Sequence, residues 1–237
     1  MLYDIETESR VPASPSRTAR TRQDILDHAA RLFRLRGFAA TTIDDVMLAA
    51  GLTRGAFYAH FASKEALFDE VLRTSHGLIR MLRERVGSTH RALARDADRI
   101  LSDYLHKDHL GEVGTGCTLA ALPGDVGRAG LTARLAYANA LYALIGELGR
   151  GRPAARKLDP AATTAAILTV GAIGLARASG DRRLSDWLLR CARRGARDLL
   201  KPPAGRASRE PKRSPSRRRA ARRPPSRRAG SSVAGRA

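Results

Sequence analysis

Gly51-Leu52-Thr53-Arg54-Gly55-Ala56-Phe57-Tyr58-Ala59-His60-Phe61-Ala62-Ser63-Lys64-Glu65-Ala66-Leu67-Phe68 is the stretch on which the fold turns. Gly51 ends one helical pattern, Thr53 is placed to cap a very short helix from Arg54 to about His60, and Ser63 caps the next. Upstream, Thr42-Ile43-Asp44-Asp45 opens the helix that Gly51 closes, with a Thr-x-x-Asp capping box and with Ile43, Val46 and Ala50 on one face. Two short helices across a glycine-containing turn make a helix-turn-helix over about residues 41–60. Before it, Thr21-Arg22-Gln23-Asp24 has the form of another capping box, and Ile25, Ala29, Leu32 and Phe33 predict a helix of about four turns that stops at Gly37. After it, a helix from Ser63 is expected to run on through Leu67, Val71, Leu78 and Leu82.

A helix of six to eight residues is not stable alone, so the one after Thr53 must be held from behind by Phe57, Phe61, Ile43 and Val46. Its outer face is then open. Small side chains at Gly55 and Ala56 let the first turn approach base edges, where alanine methyls meet thymine methyls and Arg54 reaches guanine O6 and N7, or a phosphate instead. Thr42 and Thr53 stand at helix N-termini, where backbone N–H groups and the positive end of the dipole suit a phosphate. Tyr58, His60 and Lys64 follow, within reach of flanking phosphates; the other reading is packing and turn-capping for Tyr58 and His60, and a surface charge for Lys64.

These residues resemble the DNA-binding domain of TetR-family transcriptional regulators. The resemblance covers about Thr18 to Val71, includes the Gly37-Phe38 break and the Thr41-Thr42-Ile43-Asp44-Asp45-Val46 opening, and continues in register through Tyr-x-His-Phe-x-Ser-Lys-Glu-x-Leu. It implies an N-terminal three-helix domain followed by a helical effector-binding and dimerisation domain. It also implies phosphate contacts from Tyr58, His60 and Lys64, and a ligand-relieved repressor that acts as a homodimer on a palindromic DNA operator in the bacterial cytoplasm, associated with the nucleoid.

Beyond residue 85 the periodicity stays helical, with helices expected around 88–106, 118–129, 131–149, 160–179 and 185–200, and period-2 alternation is nearly lacking throughout. The fold class is therefore all-α. A flexible arm over 1–17, the DNA-binding domain over 18–71, a helical body over 72–200 and a disordered Arg/Pro/Ser-rich tail over 201–237 complete the division. Tyr104, Cys117, Leu119, Tyr137 and Tyr142, with Leu144, mix apolar walls and polar tips as a pocket for a small-molecule effector would, and core packing is the plain alternative for each. Cys117 follows a glycine-rich loop and is either a thiol sensor or a small buried residue. Leu168, Ala172 and Leu175, with Leu184, Trp187, Leu188 and Cys191, are candidates for a dimer interface formed by the last two helices, because small residues in the first and an apolar stripe in the second allow close pairing; ordinary packing within the chain is the other reading. His106-x-x-His109 has a spacing that two metal ligands use, but no Cys or carboxylate cluster completes it, and neither a metal nor a cofactor is expected.

Composition agrees with an anionic partner: 43 Lys and Arg stand against 23 Asp and Glu, and Lys201 to Ala237 alone carries 13 basic residues and one acid. That tail supports a rival reading, an architectural protein neutralising phosphates without reading bases. No G-x-S-x-G, Walker A, H-E-x-x-H or strand-linked glycine fingerprint is present, so catalysis is not expected. Two cysteines 74 positions apart read as reduced thiols, and the acidic start of the chain is unlike a secretory signal. The uncharged run Pro160 to Ala176 is 17 residues, at the short end of a bilayer span, and is expected to be a buried helix with no membrane partner.

Overall fold

A computed structural model of the chain describes residues 16–74, 76–150, 152 and 158–201; the expected N-terminal arm and basic tail lie outside the described residues, apart from their inner ends. The described elements are α-helices throughout: α1 (Arg17–Ala40), α2 (Ile43–Ala49), α3 (Arg54–Phe57), α4 (Lys64–Thr74), α5 (Gly77–Arg83), α6 (His90–Tyr104), α7 (Lys107–Gly111), α8 (Thr118–Ala121), α9 (Pro123–Arg128), α10 (Leu131–Gly149), α11 (Pro160–Ala178) and α12 (Arg182–Leu200).

The first helix starts earlier than the Thr21 box predicts. Ser16 is the cap, accepting from the Ala19 N–H at 3.2 Å, and the Thr21 hydroxyl donates back to the Arg17 carbonyl inside the helix. Gly37 does interrupt α1: its backbone (φ 81°, ψ 166°) lies in a region closed to side chains with a Cβ. The break turns the Phe38 N–H onto the Asp125 carboxylate at 3.1 Å and lets the Phe38 ring close on Phe68, 4.6 Å between centroids. The Thr42–Asp45 capping box forms as expected, and Gly51 (φ 69°) reverses the chain into the turn before α3.

The helix from Ser63 is not continuous, which corrects the expectation of one long helix through Leu82. At His76 the backbone N–H bonds to Thr74 rather than to Leu72, and the imidazole Nε2 takes the Leu72 carbonyl at 2.6 Å. A side chain thus replaces one rung of the helix ladder, and Gly77 begins a separate helix. The single helix expected over 118–129 is likewise two. Pro123 cannot donate to the ladder and stands at the first turn of α9. The 88–106 helix is shorter, ending at Tyr104 before the extra turn of α7. α12 begins three residues before the predicted start, where Asp181 accepts from the N–H groups of Arg183 (2.7 Å) and Leu184 (3.1 Å).

Two apolar clusters organise the molecule. One joins α1–α4, with Phe33, Phe57, Phe68 and Val71 almost fully buried, and it continues into Leu122, Val126, Ala133 and Ala136 of the α8–α10 region. The other fills α5–α8 and α10–α12, with Leu82, Leu101, Leu119, Leu144 and Ile173 at its centre. Arg85, whose side chain is almost wholly buried, ties the second cluster by donating to the carbonyls of Leu82 (2.7 Å), Leu93 (2.8 Å) and Glu147. α11 is only partly the buried helix expected. It is long and apolar enough by composition to cross a membrane, and Ala162, Ala166 and Thr169 on one face are buried, but Ile167 and Leu175 on the other are 66% and 61% exposed.

Candidate nucleic-acid interface and effector cluster

α3 has four residues and no side-chain capping bond, so its position rests on what lies under it. Phe57 is fully buried against the first cluster, its ring 5.8 Å from Phe61 and 5.3 Å from Tyr58. With Phe57 inward, Thr53, Arg54 and Gly55 face solvent and Tyr58 is 58% exposed. A Cβ placed on Gly55 would meet nothing within 4 Å, so this turn is open to a partner. Ala56 and His60 are half-buried beside it.

Electrostatics differ between the two N-termini proposed for phosphate. At α2 the Asp45 carboxylate already accepts from the Thr42 N–H (2.8 Å) and hydroxyl (2.7 Å), and these hydrogen bonds hold Asp45 below the usual carboxylate range. A phosphate there competes with a built-in anion. α3 carries no acid in its first turn. Arg54 reaches across to Asp44 at 2.6 Å, and the attraction of that carboxylate raises the guanidinium pKa. Lys64 is more occupied than the sequence indicated: its ammonium donates to the carbonyls of Phe38 and Thr41, both at 3.0 Å, and lies 4.3 Å from the centre of the Phe38 ring. It fastens the end of α1 to the start of α4 and keeps one of its three donors.

A model of the bacterial regulatory proteins of the tetR family matches residues 25–71, the segment just described. The chain carries a TetR-family N-terminal domain. Its TetR-type segment is 45% identical over 62 residues to the transcriptional repressor KstR2 of Mycolicibacterium smegmatis, covering 26% of this chain and 30% of that protein. It is 48% identical over 59 residues to the regulator AcrR of Shigella flexneri, covering 25% and 27%. The chain thus spans under a third of the length of these relatives. Beyond the TetR-type domain the likeness is one of fold: the reduced form of Escherichia coli NemR superposes with a TM-score of 0.60 at 23% identity over 78% of this chain and all of that one. A SmeT–triclosan complex (TM-score 0.55, 20% identity, 76% and 90% covered) has a similar fold. So does Bacillus subtilis FadR with stearoyl-CoA (0.50, 16%, 75% and 96%).

In the body, four of the five effector candidates come together. Tyr104, Cys117 and Leu119 are buried in the second cluster, and half-buried Tyr137 packs on it, donating to the Leu119 carbonyl at 2.6 Å. Burial pushes the Tyr137 hydroxyl up to about 12 and the Tyr104 hydroxyl well above its ordinary value. Tyr142 is 47% exposed and stands outside that cluster. Of the dimer candidates, Ala172 is buried and Leu168 half-buried within the chain's own α11–α12 packing, where Leu168 Cδ1 closes on Gly195. Leu175, Leu184, Trp187 and Cys191 are exposed and Leu188 is half-buried.

Several polar residues escape a reading of the sequence because nothing in their spacing announces them. Arg34 crosses from α1 to donate to the Gly114 carbonyl (2.9 Å) and the Thr118 hydroxyl (3.2 Å). Arg177 and His109 meet behind the Gly114–Gly116 loop, while His106 instead faces Asp108 at 3.1 Å. A cleft of about 500 Å³ opens between α1, the α4–α5 junction and that loop, with Arg31, Arg34, Arg80 and His28 against Asp27 on its walls.

Proposed function

We propose that the protein is a sequence-specific transcriptional repressor that binds a palindromic DNA operator as a homodimer and releases it when a small effector occupies the helical body. The observation that carries this is the open first turn of α3 set on the buried Phe57. Arg54 reads a base edge once it leaves Asp44, Gly55 and Ala56 permit close approach, and Thr42, Thr53, Tyr58, His60 and the free donor of Lys64 hold phosphates. The KstR2 relatives are named repressors, and two proteins of similar fold hold triclosan and stearoyl-CoA, in line with a regulator that takes small ligands. A regulator of this kind works in the bacterial cytoplasm on nucleoid DNA and needs no catalytic group.

The exposed stripe of Leu175, Leu184, Trp187 and Cys191, with Ile167, supplies the dimer face; two such faces place two readers on half-sites about 34–36 Å apart. Coupling to an effector runs through packing rather than through one rigid helix. α9 and α10 share the reader's core, and Phe38 and Arg34 bond directly to Asp125, Gly114 and Thr118 of the body. Effector and operator must then weaken each other by the same factor, typically about 5- to 150-fold.

Selection of bound fragments from a random DNA pool tests the reading. Enrichment of a palindrome by a chain that sediments as a dimer is the expected result. Salt-sensitive binding without enrichment overturns it and leaves the architectural alternative.

A further inference from the structure

Arg177, near the end of α11, uses Nε and one terminal nitrogen on the carbonyls of Leu110 (3.3 Å) and His109 (3.2 Å). Its other terminal nitrogen, Nη1, is buried without a hydrogen-bond partner, as are the Tyr104 hydroxyl and the His109 Nε2. The three belong together. The Tyr104 and His109 rings are 4.7 Å apart between centroids, and the Arg177 charge acts on both. Tyr104 is only 6% exposed, and beside its hydroxyl stands the Cys117 thiol, a weak hydrogen-bonding group.

Three buried polar atoms with at most a weak thiol contact among them are costly, and the local charge makes them more so; His109 Nε2 donates in the tautomer that carries its proton there. Arg34 and Arg177 repel one another, and among the described residues neither guanidinium has a carboxylate in ion-pair contact. What the cluster lacks is an anionic acceptor. A phosphate dianion asks for more donors than these, whereas a carboxylate, with two oxygens, is matched by one guanidinium N–H, a phenol and an imidazole. Leu101, Leu105 and Leu119 belong to the same buried apolar cluster as Tyr104 and Cys117, so a hydrocarbon or aromatic remainder has apolar neighbours there once it displaces part of that packing. Gly116 stands between the cluster and the cationic cleft: it lines the cleft, and a Cβ built on it would lie 2.6 Å from Arg177 Nη2.

We propose that the body binds a small apolar monocarboxylic acid, its carboxylate accepting from Arg177 Nη1, Tyr104 Oη and His109 Nε2 behind the Gly114–Gly116 loop. This rests on the effector reading above and names the chemical class of the ligand.

The test is calorimetric titration of the full chain at neutral pH with octanoate and phenylacetate, and with octanamide and phenylacetamide as uncharged counterparts. At least one acid should bind with Kd below about 5 mM and its amide about 10- to 100-fold more weakly, the factor that goes with a charged acceptor. Arg177→Gln should lose the same factor and Tyr104→Phe about 5-fold, while Arg31→Gln on the cleft wall stays within about 2-fold of the parent. Because Arg177 also secures the carbonyls of His109 and Leu110, the isosteric Tyr104→Phe decides the matter if Arg177→Gln does not fold. The inference is overturned if neither acid binds below that limit, if the amides bind as tightly, or if Tyr104→Phe binds like the parent. An acid that binds as expected without lowering DNA affinity upholds this inference and overturns the effector proposal. DNA release by the amides with no acid bound does the reverse.

Discussion

Replacing Lys64 with alanine should act on the fold before it acts on DNA. The ammonium donates to the Phe38 and Thr41 carbonyls at 3.0 Å each and lies 4.3 Å from the Phe38 ring centre. A shielded hydrogen bond from a charged donor contributes ~1.5–3 kcal/mol, an exposed charged pair only ~0.2–1 kcal/mol. Lys64 is half-buried, so its two bonds fall between these limits, and an exposed cation–π interaction adds ~0.5 kcal/mol. Water can partly solvate the carbonyls left behind, which brings the expected loss to about 2 kcal/mol, or about 4–8 °C in Tm for a chain of this size. Urea denaturation at constant m measures this. DNA affinity across a salt series measures the second role: each cation removed from a phosphate flattens the log–log slope by ~0.9, so the two Lys64 side chains of a dimer on its operator together account for ~1.8. An unchanged urea midpoint refutes the fastening of α1 to α4. A lowered midpoint with an unchanged slope keeps that role and removes Lys64 from the DNA-binding set.

Gly37→Ala should destabilise by ~1–3 kcal/mol, since φ is +81° and the new Cβ would stand 3.3 Å from the Asp125 carboxylate; an unchanged urea midpoint would contradict the strain. Asp44→Asn should free Arg54 and remove a negative charge from the DNA face, tightening operator binding by about 2- to 5-fold in a filter or anisotropy assay; weaker binding would mean that Asp44 orients Arg54 for its role. Burial lowers the pKa of His76 and of His109 below the ordinary imidazole value of 6.5, so the unfolded chain takes up protons that the folded chain refuses. The stability they contribute above that pH is lost as pH falls through it toward their folded values. Glu70, lowered by its Arg22 partner from 4.5, acts in a separate, more acidic window. Urea midpoints between about pH 7.5 and 5 should therefore decline in the parent and less steeply in His76→Gln; parallel profiles would exclude His76 as a source of the slope.

The N-terminal TetR-type domain is legible in the sequence because its signals are local. The Thr42 box, the Gly51 reversal and the inward Phe57 each depend on residues a few positions apart, and all three are present in the fold. The start of α1 and the course of α4 are illegible for an equally local reason. Ser16 competes with Thr21 for the same cap, and an imidazole at His76 substitutes for a backbone donor, a choice that periodicity does not encode. Charged side chains carry the least information. Nothing in the sequence around Lys64, Arg54 and Arg177 announces the protein partner each takes, yet one fastens two helices, one is held by Asp44 and one is half-buried beside Tyr104. Their partners lie 10 to 68 positions away along the chain. Local capping and hydrophobic period are written residue by residue and so specify the helices. The partner of a long, flexible cation depends on which helices pack together, and that is settled only when the two apolar clusters close.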